Sequence, residues 1–144
     1  MVIKIKAIIP NGWNISTFGD ILEGFFGGAT PRRNHPEYYN GKIKWVTSGE
    51  LDYNIIYDTI EKISLEGKEK TNLMLLPPGA FLMAITGLEA SGTRGRCAIL
   101  GIEATTNQSC LAIFSTNKMI TEYLYYYYLL KGDELAFKYC QGTK

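Results

Sequence analysis

Two arginines close the glycine-broken segment TGLEASGTRGR at residues 86–96, and this stretch carries the strongest chemical case in the chain. Its glycines let the backbone approach a phosphate or a groove, while Thr86, Ser91, Thr93, Arg94 and Arg96 offer hydrogen bonds and positive charge. A guanidinium pairs in bidentate fashion with guanine O6 and N7, and its charge also suits phosphate. The same composition describes a solvated hairpin loop that happens to bear two arginines, and residue chemistry alone leaves both readings open. A nucleotide P-loop fits less well, because Gly95-Arg96-Cys97 lacks the Gly-Lys-Ser/Thr ending and leads into strand-like sequence.

A second cluster spans residues 31–47, where Arg32, Arg33, Lys42 and Lys44 stand against Glu37, a local excess of three positive charges. Interleaved with Tyr38, Tyr39 and Trp45, this is the composition of a phosphate-contacting surface with stacking platforms. The aromatic residues serve equally as core or support residues. His35, the single histidine, reads as a loop hydrogen-bonder, since no acidic or nucleophilic partner can be placed beside it from sequence.

Catalytic patterns are weaker. Asp58 followed by Glu66-Gly67-Lys68 matches a loose D-x(n)-ExK spacing, in which two carboxylates hold a metal and lysine stabilises charge. The run at 66–70 has no strand character, however, and reads as a solvated helix or turn. No GxSxG elbow accompanies the serines. Cys97, Cys110 and Cys140 form no CxxC pair and are expected to be buried packing residues, and one histidine gives zinc no ordinary ligand set. The tyrosines at 125–128 read as helix packing, with the exposed ones serving a partner surface. No catalytic constellation, metal or cofactor is expected.

These segments need a scaffold. With 144 residues, 46% apolar and 20% charged, the chain has the size and composition of one folded domain. A net charge of +1 means that any nucleic-acid-binding face must be local. No run approaches the ~20 apolar residues needed to span a bilayer, and MVIKIKAIIP is too short and interrupted for a secretory signal. The cytoplasm is the default expectation, with no membrane attachment.

Residues 43–48 read as a strand entered from an Asn40-Gly41 turn, after the loop GGATPRRNHPEYYNG with its glycines, prolines and asparagines. Residues 55–64 are β-rich, and Ser64 is placed to cap a short helix toward Asn72. Pro77-Pro78-Gly79 stops the chain before AFLMAIT, an apolar run suited to the centre of a sheet. CAILGI follows the glycine-rich loop, making a strand, loop, strand hairpin, and SCLAIF at 109–114 follows the polar run Thr105-Thr106-Asn107-Gln108. From about Thr121, apolar residues recur at helical spacing, with a possible bend at Gly132. The expectation is an α+β fold: a twisted, mostly antiparallel sheet of five or more strands with a C-terminal helix packed on it. Gln141-Gly142-Thr143-Lys144 follows without a natural close, as in a fragment or a shortened gene product.

The order of the segments adds a further reading. GWNISTFGD, GGATPRRNHPEYYNGKIKWVTSGEL, LPPGAFLMAITGLEASGTRGRCAIL, ATTNQSCLAI and EYLYYYYL together resemble a target recognition domain of the specificity (S) subunit of type I restriction-modification systems, over about residues 12–143. The carrying features are the G-x-x-P loop before Y-x-N-G-x-I-x-W, the PPG before an apolar strand, the glycine-rich loop, and Thr-Asn-Gln before a small-residue strand. The division would be a lead-in at 1–11 and a recognition domain at 12–144. The resemblance implies a sequence-specific module for double-stranded DNA, with no catalysis of its own, that directs separate methyltransferase (M) and restriction/translocase (R) subunits to a bipartite site. In that family two such domains each read a half-site, with helices spacing them. This sequence carries one domain and no spacer helices, so a second domain or a second copy would be needed. The DNA contacts expected are Arg32, Arg33, Lys42, Lys44, Thr86, Ser91, Thr93, Arg94 and Arg96, held on a rigid sheet over the major groove. A stand-alone DNA-binding module or regulator is the alternative, followed by a metal-dependent nuclease.

Overall fold

The computed structural model describes residues 9–86 and 95–139. The elements run α1 (Phe18–Ile21), β1 (Phe26–Gly27), β2 (Tyr39–Val46), β3 (Asn54–Ile56), β4 (Glu61–Ile63), α2 (Leu65–Lys70), β5 (Phe81–Ala84), β6 (Cys97–Leu100), β7 (Thr105–Thr106), β8 (Cys110–Ile113) and α3 (Thr121–Tyr139). Short 3-10 turns occupy Pro36–Tyr38 and Ser48–Glu50.

The apolar run after Pro77-Pro78-Gly79 becomes β5, the middle strand of a five-stranded sheet ordered β1-β8-β5-β6-β3. It pairs antiparallel with β6 on one side and β8 on the other. Its sequence has no polar alternation because both faces are covered. Leu82 and Ala84 pack with Val46, Leu51, Ala98 and Ala112, whereas Phe81 packs with Cys97, Ile99, Ile113 and Leu124. Strand residues alternate between faces, so one run of apolar residues feeds two cores. β1 joins β8 antiparallel, and β3 lies parallel to β6 at the far edge.

The strands make two sheets rather than the single sheet expected. β2 forms a three-stranded sheet with β4, antiparallel, and β7, parallel. β7 was hidden in sequence because it is only Thr105-Thr106. Both threonines are buried, and the Thr105 hydroxyl donates to the Lys44 carbonyl at 3.0 Å, which makes burial of a polar side chain tolerable. Asn40-Gly41 is likewise inside β2 rather than a turn before it. The ladder with β4 slips between Tyr39 and Ile43, Asn40 takes φ 56°, and Gly41 lies so close to the Ile63 carbonyl that a Cβ would meet it at 2.2 Å. The Asn-Gly pair therefore makes a β-bulge, which the missing side chain of Gly41 permits.

Of the three helices, α2 and α3 follow from sequence. Ser64 caps α2, its hydroxyl oxygen accepting from the Gly67 amide at 3.1 Å, with Glu66 in the first turn and Lys68 and Lys70 in the last. α3 runs through Gly132 without interruption. Thr121, Leu124, Tyr125 and Tyr128 turn toward the five-stranded sheet: the Thr121 hydroxyl donates to the Gly79 carbonyl, the Tyr125 hydroxyl to the Tyr53 carbonyl, and the Tyr128 ring sits edge-on to Phe81 at 5.4 Å. Tyr123, Tyr126 and Tyr127 are exposed. Cys97 and Cys110 are buried free thiols, and burial pushes both up to about 12, so they stay protonated and inert. Cys140 and residues 1–8 lie outside the described residues. No described helix is long and apolar enough to cross a membrane.

Candidate nucleic-acid interface

β2 and β7 run parallel and end side by side at Val46 and Thr106. What leaves that end is irregular backbone, and five segments meet there. Residues 28–30 lie along β7: the Ala29 amide donates to the Thr106 carbonyl at 3.1 Å, and the Thr30 hydroxyl donates to Gln108 Oε1 at 2.5 Å. The Asn107 amide donates to the Val46 carbonyl at 2.9 Å, which seats the 107–109 turn beside the 47–50 turn. Glu50 then ties in the β3–β4 turn, its Oε2 accepting from the Thr47 amide and its Oε1 from the Ile60 amide. The Thr86 hydroxyl reaches Ser109 Oγ at 2.5 Å, bringing the chain that leaves β5 to the same place.

The cations of residues 31–47 divide into two kinds. Arg33 is held by Glu61 through a bidentate pair of 2.5 and 2.9 Å, and its guanidinium lies 4.5 Å from the centre of the Tyr39 ring and 5.3 Å from that of Trp45. The hydrogen bonds of that pair hold the Glu61 carboxyl below its ordinary range and raise Arg33 further. Lys44 and Lys62 converge on one oxygen of Asp58, at 2.5 and 3.0 Å. Lys44 first, then Lys62, holds the Asp58 carboxyl well below the usual carboxylate range. The local excess of positive charge is thus offset by two carboxylates that only the fold brings near. Arg32 and Lys42 are exposed, and neither has an ion pair among the described residues.

The aromatic residues support this face from beneath. Trp45 is 1% exposed, its indole N–H donating to the Ala29 carbonyl at 3.1 Å, and Tyr38 is buried under His35. Half-buried Tyr39 donates its hydroxyl to the Pro31 carbonyl at 2.5 Å. Among these, Trp45 and Tyr38 are too deeply covered to stack on a base. The expectation that His35 lacks an acidic neighbour is corrected: Glu37, two residues on, places Oε1 2.7 Å from Nδ1, and that contact lowers the Glu37 carboxyl.

Thr86 is exposed at the end of β5, and Arg96, half-buried at the start of β6, lies 3.5 Å from Asp52. Ser91, Thr93 and Arg94 lie outside the described residues. Of the loose nuclease pattern, Asp58 is engaged by two lysines, while Glu66 and Lys68 sit on α2. Among the described residues no group of three His, Cys, Asp or Glu is placed to hold a metal ion. Sequence reasoning missed Lys62, Glu61, Thr30, Gln108 and Ser109. Their partners lie 23 to 78 residues away except in the local Asp58–Lys62 pair. The polar Asn107-Gln108 pair straight after two buried threonines was the one available signal.

Comparison with known proteins gives a consistent result. The family described as the type I restriction modification DNA specificity domain matches residues 10–144. The specificity subunit of the type I restriction enzyme MjaIX of Methanocaldococcus jannaschii is 32% identical over 126 residues, covering 85% of this chain and 28% of that protein. The EcoR124I/EcoR124II specificity subunit of Escherichia coli is 22% identical over 120 residues, covering 83% of this chain and 29% of its own. The chain therefore spans less than a third of the length of these relatives. The HsdS subunit from Thermoanaerobacter tengcongensis superposes with a TM-score of 0.67 over 97% of this chain and 32% of its own, at 18% identity. A chain from a structure on complex assembly and conformational transition of the type I R-M system gives 0.69 over 92% and 31%, at 15% identity. These two share the fold.

Proposed function

The chain belongs to the type I restriction modification DNA specificity domain family, and from that premise we propose that it recognises one half of a bipartite double-stranded DNA site. In this reading it directs methyltransferase (M) and restriction/translocase (R) subunits to that site, and a second recognition unit, another domain or a second copy, reads the other half. The chain does no bond chemistry itself, and it works in the cytoplasm, where such subunits meet chromosomal DNA.

The observation that carries the reading is the meeting of five irregular segments at one end of a small, tightly packed sheet, with Arg32 and Arg33 following the first of them and Lys42 and Lys44 carried on β2 itself. A rigid base presenting irregular loops is the arrangement that base readout requires, since side chains must meet base edges in fixed register. Arg32 and Lys42 would lie on phosphates. Arg33 and Lys44 would exchange their carboxylate partners for phosphate or for guanine, which offers a guanidinium the same bidentate geometry as Glu61 does. Thr86, Ser91, Thr93, Arg94 and Arg96 would read bases from the 86–96 segment. The exposed Tyr123, Tyr126 and Tyr127 on α3 offer a surface for the partner subunits, on the opposite face of the five-stranded sheet.

Two substitutions separate readout from attachment. Arg94→Ala is expected to relax discrimination at one base pair by roughly 1 to 3 kcal/mol, whereas Lys42→Ala should weaken binding to every sequence alike and make the salt dependence shallower by about one phosphate charge. Titration of single-base variants of the bound duplex measures both. If neither change alters binding, these residues do not touch the DNA.

A further inference from the structure

We propose that the turn at residues 107–109 is the positioning element of this interface: Gln108 sets the segment that begins at residue 31 through Thr30, and Ser109 sets the direction of the chain leaving β5 through Thr86. The inference rests on the DNA reading above and adds two positioning residues to it.

The turn is fixed at both ends. It leaves β7, whose threonines are buried, and enters β8 at Cys110, which is fully buried. Within it, Asn107 makes three bonds: its amide donates to Val46, its Oδ1 accepts from the Ser109 amide at 3.0 Å, and its carbonyl accepts from the Cys110 amide at 3.2 Å. A turn closed in this way has little freedom of its own. From it two polar side chains reach outward, Gln108 to Thr30 and Ser109 to Thr86, each bond 2.5 Å long.

Thr30 and Thr86 come from separate parts of the fold, 78 and 23 residues from their partners. The strands that precede them, β1 and β5, both pair with β8, and the Ile85 amide donates to the Ser109 carbonyl at 3.0 Å; beyond those ladders the two side-chain bonds register residues 30 and 86 against the same turn. Close approach helps at the first: Gly28 lies so near Thr106 that a Cβ would meet its carbonyl oxygen at 2.0 Å, so the chain is drawn flat along β7 before Thr30 reaches Gln108. Exposed hydrogen bonds of this kind add little to global stability, since water competes for both partners. What they can fix is relative position, and a reading head tolerates errors of only about half an ångström.

The test compares a duplex enriched from a random pool with an unrelated duplex of equal length. Thr30→Val and Gln108→Ala are each expected to lower the ratio of the two affinities by about threefold to tenfold, and the double variant no further than either single one. Thr30→Ser keeps the hydroxyl and should keep the ratio. Melting temperature, affinity for the unrelated duplex and its salt dependence should stay at the wild-type values, while amide hydrogen exchange across residues 30–35 quickens in Gln108→Ala. Ser109→Ala, which removes the acceptor of the second tie, should lower the ratio in the same way. An unchanged ratio in Thr30→Val, a Thr30→Ser as impaired as Thr30→Val, or unaltered exchange in Gln108→Ala overturns the positioning role alone. A wild-type chain that binds both duplexes equally overturns the DNA reading, and the positioning role falls with it.

Discussion

Trp45→Ala is expected to cost the fold about 3 to 5 kcal/mol, the range for deleting a buried indole, and to lower the melting temperature by roughly 10 °C or more. Three effects combine. The ring is 1% exposed among Ile63 and Leu73, so its removal leaves a cavity. The Ala29 carbonyl loses the indole N–H, which leaves an acceptor without its partner beneath the 31–35 segment. The Arg33 guanidinium loses one of the two rings it covers. Trp45→Phe refills most of the cavity but does not replace the N–H, so it should fall between the two. Thermal or urea denaturation measures the stability change. A Trp45→Ala chain as stable as the wild type would mean that the small sheet is not packed as described.

Replacing Arg32, Arg33, Lys42 and Lys44 together by alanine is expected to lower duplex affinity on the order of a hundredfold or more near 0.1 M salt. For every phosphate that is no longer neutralised, the slope of log affinity against log salt should become shallower by about 0.9. The four positions are not equivalent. Removing Arg32 and Lys42 only subtracts cations, whereas removing Arg33 also bares the Glu61 carboxylate to the DNA and removing Lys44 leaves Asp58 with Lys62 as its one remaining lysine. The Arg33→Ala/Lys44→Ala pair should therefore be the more damaging half. Adding Glu61→Gln and Asp58→Asn to that pair should recover part of the affinity, because the repulsion goes while the missing attraction does not return. Affinities measured over a salt series decide the matter. Equal damage from the two halves would show that the carboxylates do not face the duplex.

The parts of this fold legible in sequence are those set by local physics. Ser64 announces α2 because capping acts within one turn, and the unbroken run after Pro77-Pro78-Gly79 announces a central strand because both its faces must be covered. Helical spacing beyond Asn117 marked α3, and small-residue apolar runs marked β6 and β8. Residues 43–48 and 55–64 marked β2 and β4, but β7 and the pairing of these strands in a sheet of their own were not legible. Two threonines are too few to show a strand period, and the Asn40-Gly41 pair has the same composition in a bulge as in a turn.

The site divides along the same line. The cations of residues 31–47 were visible by type, but their partners Asp58 and Glu61 come from the β3–β4 turn and β4, which only tertiary pairing brings near. The net charge of the face could not be read before that pairing was known. Gln108 and Ser109 escaped because their importance lies in what they touch, Thr30 and Thr86, rather than in their own chemistry. Arg94, Thr93 and Ser91, the positions best supported by residue chemistry, stand outside the described residues, so binding experiments carry their assignment.

The central claim is that this chain discriminates among DNA sequences, and repeated selection of double-stranded oligonucleotides from a randomised pool by the folded chain tests it most directly. One short motif is expected to be enriched, with an affinity above that for the starting pool that falls when single base pairs of the motif are changed. A cooperatively folded chain that enriches no motif through successive rounds, and binds the final pool no better than the first, would contradict it.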